Sequence, residues 1–255
     1  MNLQDLLNNP PVVHKFASGE PHSVGLRSEV LYFIDQHVGE TSKTLETGAG
    51  ISTVLFALKG TDHTCIVPYQ YEVDRIKEYC AQHQISTYRI NFQVDRSENV
   101  LPRLKPSELD LVLIDGSHGF PAPFIDWYYT VSGLKVGGTL VIDDTHVWTG
   151  EVLKKFLFSE PEWKLQEDFS LRTAAFIKLE EGSHLKEWDQ QEYVMDQSRD
   201  SMKAADGLLK ADDLLKIAKE PDPNGFLLRG KRAMTLLLKG EILTLAKKII
   251  KNTVG

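Results

Sequence analysis

Three short stretches carry side chains able to do chemistry. The first is Glu46-Thr47-Gly48-Ala49-Gly50-Ile51-Ser52-Thr53, an acid ahead of two glycines and then a helix-like run. Such a turn lets a ligand approach main-chain N–H groups and a helix N-terminus. The second is LDLVLIDGSH, an apolar run ending in Asp115, with Gly116 and His118 behind it. The third is TLVIDDTH, which ends in Asp143, Asp144 and His146. Histidine changes charge near neutral pH, so His118 and His146 are candidates to take a proton from a hydroxyl. Three carboxylates brought together repel unless a proton or a cation intervenes. A hard divalent ion, Mg²⁺ first, suits such an oxygen set, with Asp115, Asp143 and Asp144 as its ligands. A second reading stays open: Asp115 only orients a ligand, and Asp144 caps the helix that follows.

The elements that must position these groups alternate in type. Strands are expected at Lys43–Thr47, His63–Val67, Tyr88–Val94, Leu109–Asp115 and Thr139–Asp143, the last entered through a turn at Gly137–Gly138. Helical spacing runs through Ser52–Leu58, Glu72–His83, Phe124–Leu134 and Gly150–Phe158. Trp163–Phe169 and Thr173–Leu179 read as an antiparallel pair joined by a short link. This is the pattern of an α/β fold with a doubly wound, mostly parallel, seven-stranded Rossmann-like sheet. Ligands in such sheets bind at the carboxyl ends of the strands, near the switch in strand order. All three stretches end there.

On this reading residues 1–38 are a helical flank, with an amphipathic helix over Ser23–His37. Residues 39–182 form the catalytic domain, and 183–255 a helical extension with a turn at Pro221–Gly225. From Phe226 onward the extension is basic, with seven Lys/Arg against the single acid Glu241. Its Leu/Ile-rich face needs a partner, its own body or a sister subunit in a homo-oligomer. The whole 255-residue chain carries a net charge of −7, which implies no general affinity for nucleic acid. Neither Cys65 nor Cys80 has a CxxC partner, and the N-terminus does not read as a signal peptide. No run approaches the ~20 apolar residues of a membrane span, so a cytoplasmic enzyme is expected.

A dinucleotide fingerprint asks for glycine at 48, 50 and 53, but position 53 is Thr. The acid at the strand end suits a cationic ligand better than a pyrophosphate. S-adenosylmethionine carries an ammonium and a sulfonium, and glycines let it approach the backbone. Over roughly residues 25–180 the chain resembles the class I S-adenosylmethionine-dependent methyltransferases. LETGAGIST, SENVLPRL, LDLVLIDGSH and LKVGGTLVIDD carry the resemblance. It is nearest to bacterial small-molecule O-methyltransferases with D-G-x-H and paired-acid motifs. The resemblance implies that Glu46, Thr47, Gly48, Ala49, Gly50, Ser52 and Thr53 line the methionine end of the cofactor. Arg96 and Ser97 would lie near adenine, and Asp115 and Gly116 beside the transferring methyl. Tyr69 stands where the family places a ribose-binding acid, so Glu72 or Gln70 would serve instead. Phe120, Phe124, Trp127, Tyr128, Tyr129 and Trp148 either form an acceptor pocket or belong to the helix–sheet core.

The resulting expectation is O-methylation of a small hydroxylated metabolite, with S-adenosylmethionine and Mg²⁺. A nicotinamide-dependent oxidoreductase and a non-catalytic methyltransferase-like module are the alternatives.

Overall fold

Strands that are apolar on both faces must be covered on both faces. Here that requirement builds the sheet and its two helical layers. The structure, a computed structural model, describes residues 1–15, 21–22 and 25–219. The chain divides into two compact units, Met1–Val194 and Met195–Gly255.

In the first unit, α1 (Leu3–Asn8) and a two-residue antiparallel pair, β1 (His14–Lys15) and β2 (Pro21–His22), precede α2 (Ser28–His37). The alternation then runs β3 (Lys43–Thr47), α3 (Ile51–Lys59), β4 (Asp62–Val67), α4 (Gln70–Gln82), β5 (Ile90–Val94) and α5 (Ser97–Leu104). It continues with β6 (Leu109–Ile114), α6 (Ala122–Val131), β7 (Leu134–Ile142), α7 (Trp148–Ser159), β8 (Trp163–Phe169) and β9 (Thr173–Lys178). Two single 3₁₀ turns lead into α8 (Glu192–Lys219), which carries the description into the second unit. The expected basic helix over Phe226–Asn252 and the turn before it lie outside the described residues.

The seven strands lie in the order β5-β4-β3-β6-β7-β9-β8. β9 runs antiparallel to β7 and β8, and all other pairs are parallel. The order reverses between β3 and β6, where Thr47 lies in register with Ile114. Alternate side chains feed two cores. Cys65, Val67, Leu111, Leu113 and Val141 face the layer of α1 to α4. Leu45, Ile66, Val112, Ile114, Leu140 and Ile142 face that of α5 to α7.

Two expectations are corrected. Gly137–Gly138 is not a turn: β7 runs through both glycines from Leu134, with a register irregularity against β6. A Cβ at Gly138 would lie 2.7 Å from Leu134 Cδ1, so the glycine permits close approach inside the strand. The N-terminal helix starts at Ser28, and a further short helix at Leu3–Asn8 is capped reciprocally by Asn2 and Asp5.

Candidate functional site

Gly48 follows the last residue of β3 with φ +90°, a region that L side chains rarely enter. A Cβ there would lie 2.1 Å from the carbonyl oxygen of Asp115. The amide of Asp115 in turn donates to Thr47 O at 3.0 Å. The ends of β3 and β6 are thus locked back to back, and only glycine fits between them. α3 opens immediately after Gly50, whose amide donates to Thr53 Oγ1 at 3.0 Å.

Glu46 and Thr53 brace this turn from behind and do not line the cleft. Glu46 is 1% exposed. Its carboxylate accepts the Ser52 hydroxyl at 2.7 Å and the Thr53 hydroxyl, and sits 3.1 Å from His63 Nε2. The His63 ring stacks on Phe56 at 4.2 Å. Neighbouring Cys65 is fully buried, and burial first, then Glu46, pushes its thiol well above the ordinary range. Glu46 therefore meets buried partners, where a ligand's charge was expected.

In front of the turn lies a cleft of about 530 Å³, a size suited to a nucleoside-like ligand. Thr47, Gly48, Ala49, Gly50 and Ser52 form one wall. Arg96 and Ser97, at the start of α5, form another; Arg96 Nε donates to Glu98 at 2.5 Å. Asp115, Gly116 and His118 follow from the end of β6, and Asp143 and Asp144 from the end of β7. Glu72, in the first turn of α4, also lines it, 6% exposed and 3.1 Å from His14 Nδ1. Tyr69 lines it too and is 56% exposed.

His14, Arg172 and Asp126 were not foreseen. The first two line the cleft from distant segments. Asp126, on α6, is fully buried, with neither carboxylate oxygen hydrogen-bonded. Burial raises it to about 6, against the opposing effect of the nearby Ser97 and Thr47 hydroxyls. Thr47 Oγ1 is itself buried without a hydrogen-bond partner. No sequence pattern marks Asp126, because only the fold removes it from water.

The acidic floor is strongly coupled. Burial, then Asp143, Glu46 and Asp144, raise Asp115 well above the ordinary carboxylate range. Asp143 accepts the hydroxyl of Thr173. Asp144 has φ +51° and three cationic or basic neighbours. His118 Nε2 lies 3.0 Å from Oδ2, Arg172 Nη2 3.4 Å from Oδ1, and His146 Nδ1 3.5 Å from Oδ1. His118 lines the cleft; His146 stands beside Asp144 and does not. Thr149 Oγ1 donates to His118 O, tying the loop after β6 to α7.

The expected metal ligands do not fit an ion as placed. Among the described residues, the one group of three that brings a ligand atom from each within 4.8 Å of the others is Glu46, His63 and Cys65, not the three aspartates. In that buried group Glu46 already receives two hydroxyls, and His63 Nδ1 lies 2.7 Å from Thr44 Oγ1. Of the expected pocket aromatics, Trp127 and Phe124 pack in or against the core. Phe120 and Trp148 are exposed, with centroids 6.3 Å apart, and Tyr128 and Tyr129 are also exposed.

This sheet order, the glycine turn at the switch point and the cleft beside it define a frame for transfer chemistry on a nucleoside-type cofactor. Residues 45–145 match a family model described as a methyltransferase domain. That match spans the glycine turn, the end of β6 and the paired acids after β7. No curated protein matches the chain. Its fold is similar to a Staphylococcus aureus protein described as a caffeoyl-CoA O-methyltransferase, at 14% identity and TM-score 0.54, covering 70% of this chain and 92% of that one. It is also similar to cofactor-bound Rv0187 from MTB, at 15% identity and TM-score 0.51, covering 62% and 84%. A Clostridium thermocellum protein described as an rRNA methylase is 14% identical with TM-score 0.51, covering 62% and 100%. At such identities these likenesses speak to the fold.

Proposed function

We propose that the enzyme methylates a hydroxyl of a small acceptor and that His118 receives the acceptor's proton. One observation carries this reading. His118 lines the cleft two residues beyond Gly116, and its Nε2 is 3.0 Å from Asp144 Oδ2. A carboxylate so placed orients the ring and stabilises the imidazolium that proton transfer creates.

Several features of the chain suit S-adenosylmethionine. The turn admits no Cβ at Gly48, and the cleft runs from that turn to Arg96 and Ser97. When bound, the cofactor supplies an activated methyl group on sulfur. Gly48 and Gly50 would let its amino-acid end lie against the backbone, while Glu46 holds the turn from beneath. Glu72 would face the ribose, and Arg96 and Ser97 the base. Asp115 and Gly116 would flank the methyl. Alignment is the protein's main contribution, worth up to about 7–11 kcal/mol in well-oriented systems. No step is routed through Mg²⁺.

A small-molecule acceptor fits the acidic cleft floor and the chain's net charge of −7 better than a polyanion such as RNA does. A cytoplasmic setting belongs to the same proposal and is supported by two buried free cysteines, Cys65 and Cys80. The test is turnover of S-adenosylmethionine by the full chain against hydroxylated small molecules, repeated with His118→Gln. The variant is expected to lose about 10²–10⁴-fold in kcat with unchanged affinity for S-adenosylhomocysteine. Full activity in His118→Gln refutes the assigned base, and failure of the wild type to bind S-adenosylhomocysteine refutes the reading as a whole.

A further inference from the structure

We propose that Arg172 closes the acidic cluster in the place a divalent cation would take, so that the cleft's fixed positive charge comes from the chain itself. The proposal rests on the methyltransferase reading for its catalytic meaning, but its geometry stands independently.

The β8–β9 link is Ser170-Leu171-Arg172, and its first two residues have φ +52° and +59°. Two positive values in succession are the mirror-image turn that matches the twist of a hairpin, and Asn or Gly normally occupies it. Here neither residue is one of those. A left-handed conformation at a non-glycine residue is unfavourable by roughly 1–2 kcal/mol and persists where surrounding contacts impose it. The contacts are present. The amide of Thr145 donates to Arg172 O at 2.7 Å, and Thr145 Oγ1 donates to Leu171 O at 3.3 Å. Arg172 N closes the turn onto Phe169 O at 3.0 Å. The tip of the hairpin is therefore pinned to the residue directly after Asp144.

The consequence is electrostatic. Arg172 Nη2 donates to Asp144 Oδ1 at 3.4 Å, while His118 takes Oδ2 at 3.0 Å. Both oxygens of Asp144 thus have partners from the chain. Asp143 is turned to the hydroxyl of Thr173, the first residue of β9 and the one that follows Arg172. A divalent ion asks several oxygens to converge at a common short radius. The hairpin draws these oxygens towards β9 and puts a guanidinium beside them. A guanidinium keeps its charge at every working pH and offers five donors in a fixed fork. In this position it can hold an acceptor oxygen as negative charge develops there, which is one of the tasks of a metal ion in such reactions. Arg172 is 46% exposed at the side chain and lines the cleft, so an acceptor can reach it.

The experiment is a Mn²⁺ titration of the full chain followed by electron paramagnetic resonance, with Mn²⁺ standing for hard divalent ions. It compares the wild type, Arg172→Gln, Arg172→Lys and Arg172→Gln/Asp144→Asn. The wild type and Arg172→Lys are expected to show no site that saturates. Arg172→Gln is expected to bind Mn²⁺ at least about tenfold more tightly, the effect of a modest change in local charge, and the double variant to lose that gain. A saturable site in the wild type overturns the proposal. So does an Arg172→Gln protein that gains nothing, or an Arg172→Lys protein that gains as much as Arg172→Gln. Calorimetric binding of S-adenosylhomocysteine to the same samples separates the two readings. Its absence in the wild type overturns the methyltransferase reading, while the Mn²⁺ result still decides what closes the cluster.

Discussion

Replacing Asp126 by Asn should make the protein more stable at neutral and alkaline pH, and the gain should vanish in acid. Asp126 is fully buried and neither oxygen has a hydrogen-bond partner. Burial raises it from 3.8 to about 6. Between those two values the native state binds more protons than the unfolded chain, so this residue's contribution to stability falls as pH rises through the window. It is complete below pH 3.8, is lost through pH 6 and stays lost above. The magnitude is the pKa difference times 1.36 kcal/mol, about 3 kcal/mol. An amide of the same shape does not titrate. Its own desolvation lowers stability by about 1–3 kcal/mol at every pH. The absolute effect at pH 8 is therefore a small net gain, and the useful quantity is the change with pH. Urea denaturation followed by fluorescence, with buried Trp127 and Trp163 as reporters, should be run for both proteins from pH 4 to pH 8. The stability difference, variant minus wild type, is expected to rise by about 2 kcal/mol across that range, since part of the change already lies below pH 4. A difference independent of pH, or one that falls as pH rises, refutes the account of Asp126 as a carboxylate whose burial outweighs its hydroxyl neighbours.

Two further outcomes test the turn and the core beneath it. Gly48→Ala places a Cβ 2.1 Å from a backbone oxygen at φ +90°, where no side-chain rotation relieves the clash. It should destabilise the fold by at least about 2 kcal/mol and abolish binding of S-adenosylhomocysteine; a variant that retains both in calorimetry contradicts the back-to-back arrangement of Gly48 and Asp115. Cys65 and Cys80 are buried, the former raised well above the ordinary range and the latter pushed up to about 11. Both should resist an aromatic disulfide reagent at pH 8 in the native protein and react fully in denaturant, and rapid native labelling would show that the thiols are accessible.

Much of this fold was legible because its signals are local. β3 was read with the bounds the structure gives it, since Leu45 and an acid lead into a glycine that no other residue can replace. LDLVLID and TLVID read as buried strands because both faces are covered, and their acids fell at the carboxyl ends because a strand must end where its apolar run does. The glycine pair at 137 and 138 misled, because glycine marks both a turn and a close approach within a strand. Here Leu134 decides for the second. The short helix at Leu3–Asn8 did carry a readable cap in Asn2 and Asp5, which the prolines further on obscured.

The site was legible only in its presence, not in its orientation. Glu46 was placed at the turn correctly by spacing, yet spacing says nothing about which way a carboxylate points. Ser52, Thr53 and His63 turn it inward, and His63 lies on another strand. The same limit applies to the aspartates. Their convergence at neighbouring strand ends followed from topology, and an ion was the simplest way to offset their repulsion. What offsets Asp144 instead is Arg172, 28 residues further on in sequence. It is delivered by a hairpin tip whose two non-glycine residues have positive φ. Sequence reasoning balanced the charges with a species outside the chain because the compensating residue is brought in by tertiary structure. If Arg172 and the shared neighbours of Asp144 do set the charge of the floor, acceptor chemistry at this cleft is governed as much by the β8–β9 hairpin as by the motifs that revealed the cofactor.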